Sequence, residues 1–338
     1  MPREQMDDLD PAGVLAGTTC LVTGGAGFVG SHIVELLLAA GAAEVRVVDN
    51  MVRGRRDNLA LALRSNRVRL IEGDIRDHGL MKGLVDGCDT VFHQAALRIT
   101  QCAQEPRTAL EVMVNATYDL IELCHAAGIR KMVAASTASV YGMADQFPTT
   151  EEQHPYNNRT LYGAAKAFNE GVLRSFNDMY GFNYVALRYF NVYGPRMDIH
   201  GRYTEVLVRW MERLSRGEAP IVFGDGLQTM DMIHVRDVAR ANILSAVAPV
   251  SDVALNVGSG TETSLLDLAH MLASIMGRPE LVPVHQEARS VNPVPRRLAG
   301  VSKAQELIGF TARHPLREGI AELIDWWRDQ TVPAGAAA

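Results

Sequence analysis

The segment from residue 19 to residue 30 constrains the fold more than any other. Thr19-Cys-Leu-Val-Thr23 runs directly into Gly24-Gly-Ala-Gly27-Phe28-Val29-Gly30, and apolar residues then recur at helical spacing at Val29, Ile33, Leu36 and Leu37. A buried strand that turns on glycines into a helix leaves no room for side chains at the corner. Gly24 allows the tight turn, Gly27 lets a pyrophosphate approach the backbone, and Gly30 lets helix pack on strand. The helix start offers unpaired N–H groups and a positive dipole end to that pyrophosphate. Gly41 suits the left-handed cap of the helix. The next strand, Val45 to Val48, leads to Asp49, whose carboxylate can accept both adenosine ribose hydroxyls and repels a 2′-phosphate. This context predicts a dinucleotide site for NAD. Arg53, Arg55 and Arg56, just beyond, leave NADP as the alternative.

Strand-like runs recur at Val68 to Ile71, Thr90 to His93, Met132 to Ala135 and Tyr184 to Leu187, with helical segments between them that include Thr108 to Ala127 and Leu161 to Tyr180. Such alternation predicts an α/β fold with a doubly wound parallel sheet covered on both faces. After about residue 188 it gives way to the loops NVYGPRMDIHGR, FGDGLQTMD and VNPVPRR, with helices near Tyr203 to Arg216, Leu265 to Met276 and Leu316 to Arg328. The expected organisation is a loose extension (1–16), a nucleotide-binding domain (17–187) to which about 237–258 return, a smaller substrate lobe (188–236 and 259–330) and a flexible tail (331–338).

The 338 residues are 47% hydrophobic and 21% charged, an ordinary globular mixture that excludes a disordered chain or a coiled coil. Lys and Arg number 33 against 39 Asp and Glu, and this acidic balance argues against a broad nucleic-acid surface. No apolar run approaches the ~20 residues of a membrane span, and the acidic N-terminus does not resemble a signal peptide. Cys20, Cys88, Cys102 and Cys124 form no CxxC pair, so neither a metal site nor a disulfide framework is indicated, and a reducing cytoplasmic setting is expected.

Tyr162-Gly-Ala-Ala-Lys166 places a phenol and an ammonium on one face near the start of a helix. A tyrosine near pKa 10 needs ~4 kcal/mol of phenolate stabilisation to titrate ~3 units lower. A neighbouring ammonium and an oxidised nicotinamide are the expected sources. Such a phenolate can take a proton from a sugar hydroxyl as hydride leaves the same carbon. Ser136-Thr137-Ala-Ser139 leaves a buried strand nearby and supplies hydroxyls for the reacting oxygen.

TGGAGFVG, Asp49, GDIRD, HQAA, ASTASVYG, YGAAK and RYFNVYGPR together resemble the extended short-chain dehydrogenase/reductase family, and within it the nucleotide-sugar 4-epimerases, over roughly residues 18 to 328. The resemblance implies a Rossmann domain with a small C-terminal lobe, a tightly held NAD, a UDP-sugar substrate and a homodimer formed through the helices Thr108 to Ala127 and Leu161 to Tyr180. It makes Tyr162 the base, Lys166 the residue that holds the nicotinamide ribose and depresses the Tyr162 pKa, and Thr137 the hydroxyl partner. It assigns the cofactor to Gly24, Gly27, Phe28 and Val29, to Asp49, Asn50 and Arg53, to Asp74 and Ile75, to Ala95 and Ala96, and to Tyr189. Asn191 is expected at the nucleotide diphosphate, Ile221, Val222 and Phe223 around the uracil, and Arg98 and Ser139 at the sugar. Two positions depart from the family pattern, Met113 where Asn is usual and Met230 where a diphosphate-binding Arg is usual. Arg289, Arg296 and Arg297 are the candidates to replace that charge.

The family's reactions begin by oxidising C4 of the sugar. A 4,6-dehydratase needs an acid pair after Thr137, where Ala138 and Ser139 stand, and the Glu usual in a UDP-glucuronate decarboxylase is also missing. The expected reaction is therefore 4-epimerisation. Ser139 and Arg98 favour UDP-glucuronate, converted to UDP-galacturonate. UDP-glucose/UDP-galactose and the UDP-N-acetylhexosamines are close alternatives, because Pro195-Arg196-Met197-Asp198 lacks the second arginine of the plant-type glucuronate epimerases. A non-catalytic dinucleotide sensor is the reading from a different class, and retention of Thr137, Tyr162 and Lys166 argues against it.

Overall fold

The computed structural model describes residues 11–200, 204–287 and 294–331. Its centre is a seven-stranded, all-parallel sheet in the order β3-β2-β1-β4-β5-β6-β10. The strands are β1 (Thr19–Thr23), β2 (Glu44–Asp49), β3 (Val68–Glu72), β4 (Thr90–His93), β5 (Lys131–Thr137), β6 (Tyr184–Tyr189) and β10 (Val253–Val257). The central strands β1, β4, β5 and β6 are almost continuously buried, as a sheet covered on both faces requires, whereas the edge strand β3 is only partly buried. One face carries α2 (Phe28–Ala39) and α9 (Val235–Val247), packed together. The other carries α3 (His78–Val85), α6 (Ala116–Ala126) and α7 (Leu161–Tyr180). Strand order reverses between β1 and β4. In an open α/β sheet, that switch point opens a crevice at the carboxyl ends of the strands. The fold is a Rossmann-type α/β fold, as the sequence predicts.

A second body covers the crevice. It contains β7 (Asn191–Tyr193), α8 (Val206–Ser215), β8 (Ile221–Phe223), β9 (Thr229–His234), β11 (Glu262–Ser264), α10 (Leu265–Ile275), β12 (Val284–Gln286) and α12 (Leu316–Thr331). Trp210, Met211, Leu268, Leu272, Ile320 and Leu323 form its core. Three strands pair as β11-β9-β7 and two as β12-β8.

Several details differ from the sequence expectation. Within the extension, Pro11–Leu15 is a short helix, α1, because Leu15 is fully buried against the sheet-side core and Arg130 donates to the Val14 carbonyl. The segment expected as one helix from Thr108 is α4 (Ile99–Gln104), α5 (Pro106–Leu110), a π turn (Glu111–Asn115) and then α6. At that turn the Met113 carbonyl accepts from Asn169 Nδ2 at 2.9 Å and the Met113 sulfur accepts from the Leu97 N–H at 3.2 Å. The helix expected from Tyr203 begins at Val206. Within the span assigned to the lobe, α11 (Ser302–Ile308) packs instead on the Rossmann core, where Ala304, Ile308 and Phe310 are buried. Among the described residues no helix is long and apolar enough to cross a membrane.

Candidate active site

The crevice is a single cleft of about 2110 Å³ running from the glycine turn, past the end of β5, to β8. At its first end, Gly24 (φ +65°) turns β1 toward α2, and a Cβ there would sit 2.8 Å from the Ala95 nitrogen. Bare backbone from two loops, Gly24–Val29 and Ala95–Ala96, therefore forms the floor under the N-terminus of α2. Asp49 ends β2 with its carboxylate accepting from Ala26 N at 3.1 Å and Met51 N at 3.0 Å. Burial raises its pKa, partly offset by those two N–H groups. Asn50 donates to Asp74 at 3.2 Å, and Asp74 is clamped by Arg76, which lowers its pKa to about 2. Ile75 and Arg53 complete this end of the cleft. These features fit a dinucleotide: a side-chain-free corner for a pyrophosphate and a fixed carboxylate at the end of the second strand.

Thr137 ends β5, and its hydroxyl accepts from the Ser139 N–H at 3.1 Å, which turns the chain into a short 3-10 helix. Thr160 caps α7 by accepting from Gly163 N at 3.1 Å. Gly163 lets α7 approach this turn, since a Cβ there would lie 2.6 Å from the Ser139 carbonyl oxygen. Tyr162 and Lys166, on the first turns of α7, thus face the cleft beside Thr137 and Ser139.

Burial raises the Tyr162 pKa, and the groups that lower it are the Thr137 hydroxyl, through a hydrogen bond, and the Arg53 guanidinium. Lys166 lies one turn further along α7. Its ammonium donates to the Ala135 carbonyl at 2.6 Å, and burial lowers its pKa to about 8. Burial thus outweighs these two groups on Tyr162, and any further cation brought close to the phenol would favour the phenolate.

Behind β5 lies a polar network that sequence reasoning missed. Glu170, one turn past Lys166 on α7, accepts from Ser136 and makes a two-pronged pair with Arg188 of β6, at 2.6 and 3.0 Å. Arg188 also donates to Tyr141 at 2.9 Å, and Tyr141 donates to Asn256 of β10 at 2.6 Å. The i, i+4 spacing of Lys166 and Glu170 was the available signal. Tyr189 borders the cleft, and its hydroxyl is held inside by Gln94 and Asn242.

At the far end Ile221, Val222 and Phe223 line the cleft, fixed by Trp210, which donates to the Ile221 carbonyl at 2.7 Å. Asn191 reaches it too. Its Nδ2 meets only the Met230 sulfur, at 3.4 Å, and its Oδ1 is buried without a partner. Arg296 does not line the cleft. It pairs with Glu262 at 2.6 Å and lies over the Phe147 ring, because the bridge to Thr229 turns it outward and Arg297 inward. Arg297 enters the cleft, its pKa lowered to about 10 by burial alone. Arg289 lies outside the described residues. Arg98 faces the cleft, but its guanidinium is shared between Asp198 at 3.6 Å and Glu205 at 3.7 Å.

Residues 20–258 match the model of the NAD dependent epimerase/dehydratase family. The chain belongs to this family. A UDP-glucose 4-epimerase of Mycolicibacterium smegmatis is 33% identical over 314 residues, covering 92% of this chain and 99% of that protein. Among solved structures, a UDP-glucose 4-epimerase of Thermotoga maritima with UDP-glucose superposes with a TM-score of 0.86 at 33% identity, covering 92% of this chain and 99% of that one. MoeE5 in complex with UDP-glucuronic acid and NAD superposes with a TM-score of 0.80 at 34% identity, with 92% and 99% covered. The family assignment agrees with the resemblance read from the motifs.

Proposed function

We propose that this epimerase/dehydratase family member is a 4-epimerase of a UDP-sugar that works through a transient 4-keto sugar with NAD. The observation that carries the reading is the convergence of Thr137, Tyr162 and Lys166 on one cleft with no carboxylate directly after Thr137. Gly24, Gly27, Phe28, Val29, Ala95 and Ala96 would hold the cofactor's pyrophosphate side, Asp49 its adenosine ribose, Asp74 and Ile75 its adenine, and Lys166 its nicotinamide ribose. When bound, NAD accepts the C4 hydride and returns it. Tyr162 Oη takes the proton of the 4-hydroxyl as the C4–H bond breaks, and Thr137 Oγ1 hydrogen-bonds the same oxygen. After the ketone presents its other face, Tyr162 returns the proton to the inverted alkoxide. Elimination needs an acid to expel the C6 hydroxyl, and Ala138 and Ser139 supply none. Arg297 takes the diphosphate charge that Met230 does not, and Ile221–Phe223 flank the uracil. The test is UDP-sugar interconversion by the wild type and by Tyr162→Phe, which should lose about 10²–10⁴-fold in rate while still binding nucleotide. Near-normal turnover in that variant would refute the assignment.

For the C6 group, the pairing of Arg98 with Asp198 and Glu205 supports an uncharged substrate such as UDP-glucose over the UDP-glucuronate read from the sequence. UDP-glucuronate is the second reading, supported by Ser139 in the cleft and by the UDP-glucuronic acid bound in MoeE5. A homodimer belongs to the same proposal, supported by the exposed apolar side chains of Tyr118, Phe168, Met179 and Tyr180 on α6 and α7, and a cytoplasmic setting goes with the reduced thiols expected of its four separate cysteines.

A further inference from the structure

Four charged side chains from four separate segments meet in the cleft. Arg53 follows β2, Arg98 precedes α4, Asp198 sits in the loop after β7, and Glu205 immediately precedes α8. Asp198 Oδ2 bridges the two arginines, 3.5 Å from Arg53 Nε and 3.6 Å from Arg98 Nη2, and Glu205 reaches Arg98 at 3.7 Å. The Asp198 and Arg98 side chains are only 12% and 14% exposed, so water screens this pair weakly. Asp198 is also held from behind. Its Oδ1 accepts from His200 N at 3.2 Å, Arg196 pairs with Glu35, and the Pro195 carbonyl is hydrogen-bonded to His32 of α2. The cluster lines the same cleft as Tyr162, where Arg53 lowers and Glu205 raises the pKa of the phenol.

Within this cluster two cations face two carboxylates. We propose that Asp198 is a positioning residue that sets substrate choice: by engaging Arg98 it withholds that guanidinium from a C6 carboxylate, so that a sugar with a C6 alcohol is accepted over one with a C6 carboxylate. This rests on the UDP-sugar epimerase reading and adds the substrate class to it. A uronate entering the cleft would meet Asp198 and Glu205 as like charges and would have to displace one of them from Arg98. Releasing Arg98 from Asp198 leaves a weakly screened guanidinium able to make charge-assisted hydrogen bonds to a carboxylate, which typically change affinity about ten-fold or more.

The experiment compares kcat/KM for UDP-glucose and UDP-glucuronate in the NAD-loaded wild type, in Asp198→Asn and in Asp198→Glu. The wild type should favour UDP-glucose at least about ten-fold. Asp198→Asn should move the ratio toward UDP-glucuronate about ten-fold, mainly through KM, and Asp198→Glu should keep the wild-type preference. Adding Arg98→Leu to Asp198→Asn should erase the shift. Glu205→Gln, whose side chain is 57% exposed and whose loss spares the fold, should move the ratio the same way by a few-fold, and it tests the idea even if Asp198→Asn does not fold. A wild type that prefers UDP-glucuronate, or variants that depress both substrates equally, would overturn the proposal while leaving the epimerase reading intact. Failure to interconvert any UDP-sugar would instead count against the epimerase reading.

Discussion

Glu170→Gln tests how the catalytic strand is held. Glu170 and Arg188 are nearly buried, with side chains 12% and 9% exposed, and their atoms meet at 2.6 and 3.0 Å. Burial alone would lower the Arg188 pKa, yet Glu170 and Tyr141 together raise it above its ordinary value. Glu170 and Tyr141 together therefore favour the charged guanidinium at this buried position. Removing one member of such a pair leaves an uncompensated buried charge and costs about 3–5 kcal/mol. Glutamine keeps an oxygen for Ser136 and for one arginine N–H, so the lower figure, about 3 kcal/mol, is expected. With an unfolding entropy of about 2.1 cal/mol/K per residue over 338 residues, that is a fall of about 4 °C in Tm. Because Ser136 precedes Thr137, turnover should fall as well. The assay is thermal unfolding of wild type, Glu170→Gln, Glu170→Leu, Arg188→Met and the double variant Glu170→Leu with Arg188→Met. The double variant should be more stable than the sum of its singles predicts. A melting point for Glu170→Gln within 1 °C of wild type (about a quarter of the expected fall), or an additive cycle, would refute the reasoning.

Burial lowers the Lys166 pKa to about 8, so its charge is present below that pH and lost above it. The rate should fall as pH rises through about 8, and in Lys166→Arg the remaining activity should show no such limb; an unchanged profile would contradict this. Arg297→Leu should raise KM for UDP-sugars about ten-fold or more by removing a charge-assisted contact, whereas Arg296→Leu should leave KM near wild type. Steady-state kinetics on both variants checks the choice between neighbours. Sedimentation should give a dimer, and Phe168→Asp combined with Met179→Asp should give a monomer that still binds nucleotide.

The Rossmann half was legible because its signals are local. Continuous apolar runs mark strands buried on both faces, and Thr19–Thr23, Thr90–His93 and Leu161–Tyr180 have the predicted bounds. The π turn was not legible, since it depends on Asn169, which lies 56 residues from Met113 and takes its carbonyl. Nor was α3, whose two glycines weaken the helical signal. At the site, the glycine turn, Asp49, Thr137, Tyr162 and Lys166 could be named because each belongs to a short motif. The pairing of Arg98 with Asp198 and of Glu170 with Arg188 joins distant segments, and no spacing rule reports it. Arg296 and Arg297 show the limit most clearly. Successive side chains in an extended segment point to opposite sides, so the choice between them rests on the bridge at Thr229.

The central claim is that hydride leaves and returns to the same carbon without net redox change. The most direct measurement is incubation of the NAD-loaded protein with UDP-glucose, with the sugar nucleotides resolved by chromatography and absorbance at ~340 nm, the band of reduced nicotinamide, followed throughout. The account predicts conversion to UDP-galactose until equilibrium, with no accumulation of NADH and no 4-keto-6-deoxy product. Stoichiometric NADH, a dehydrated sugar, or no conversion of any UDP-sugar would contradict it.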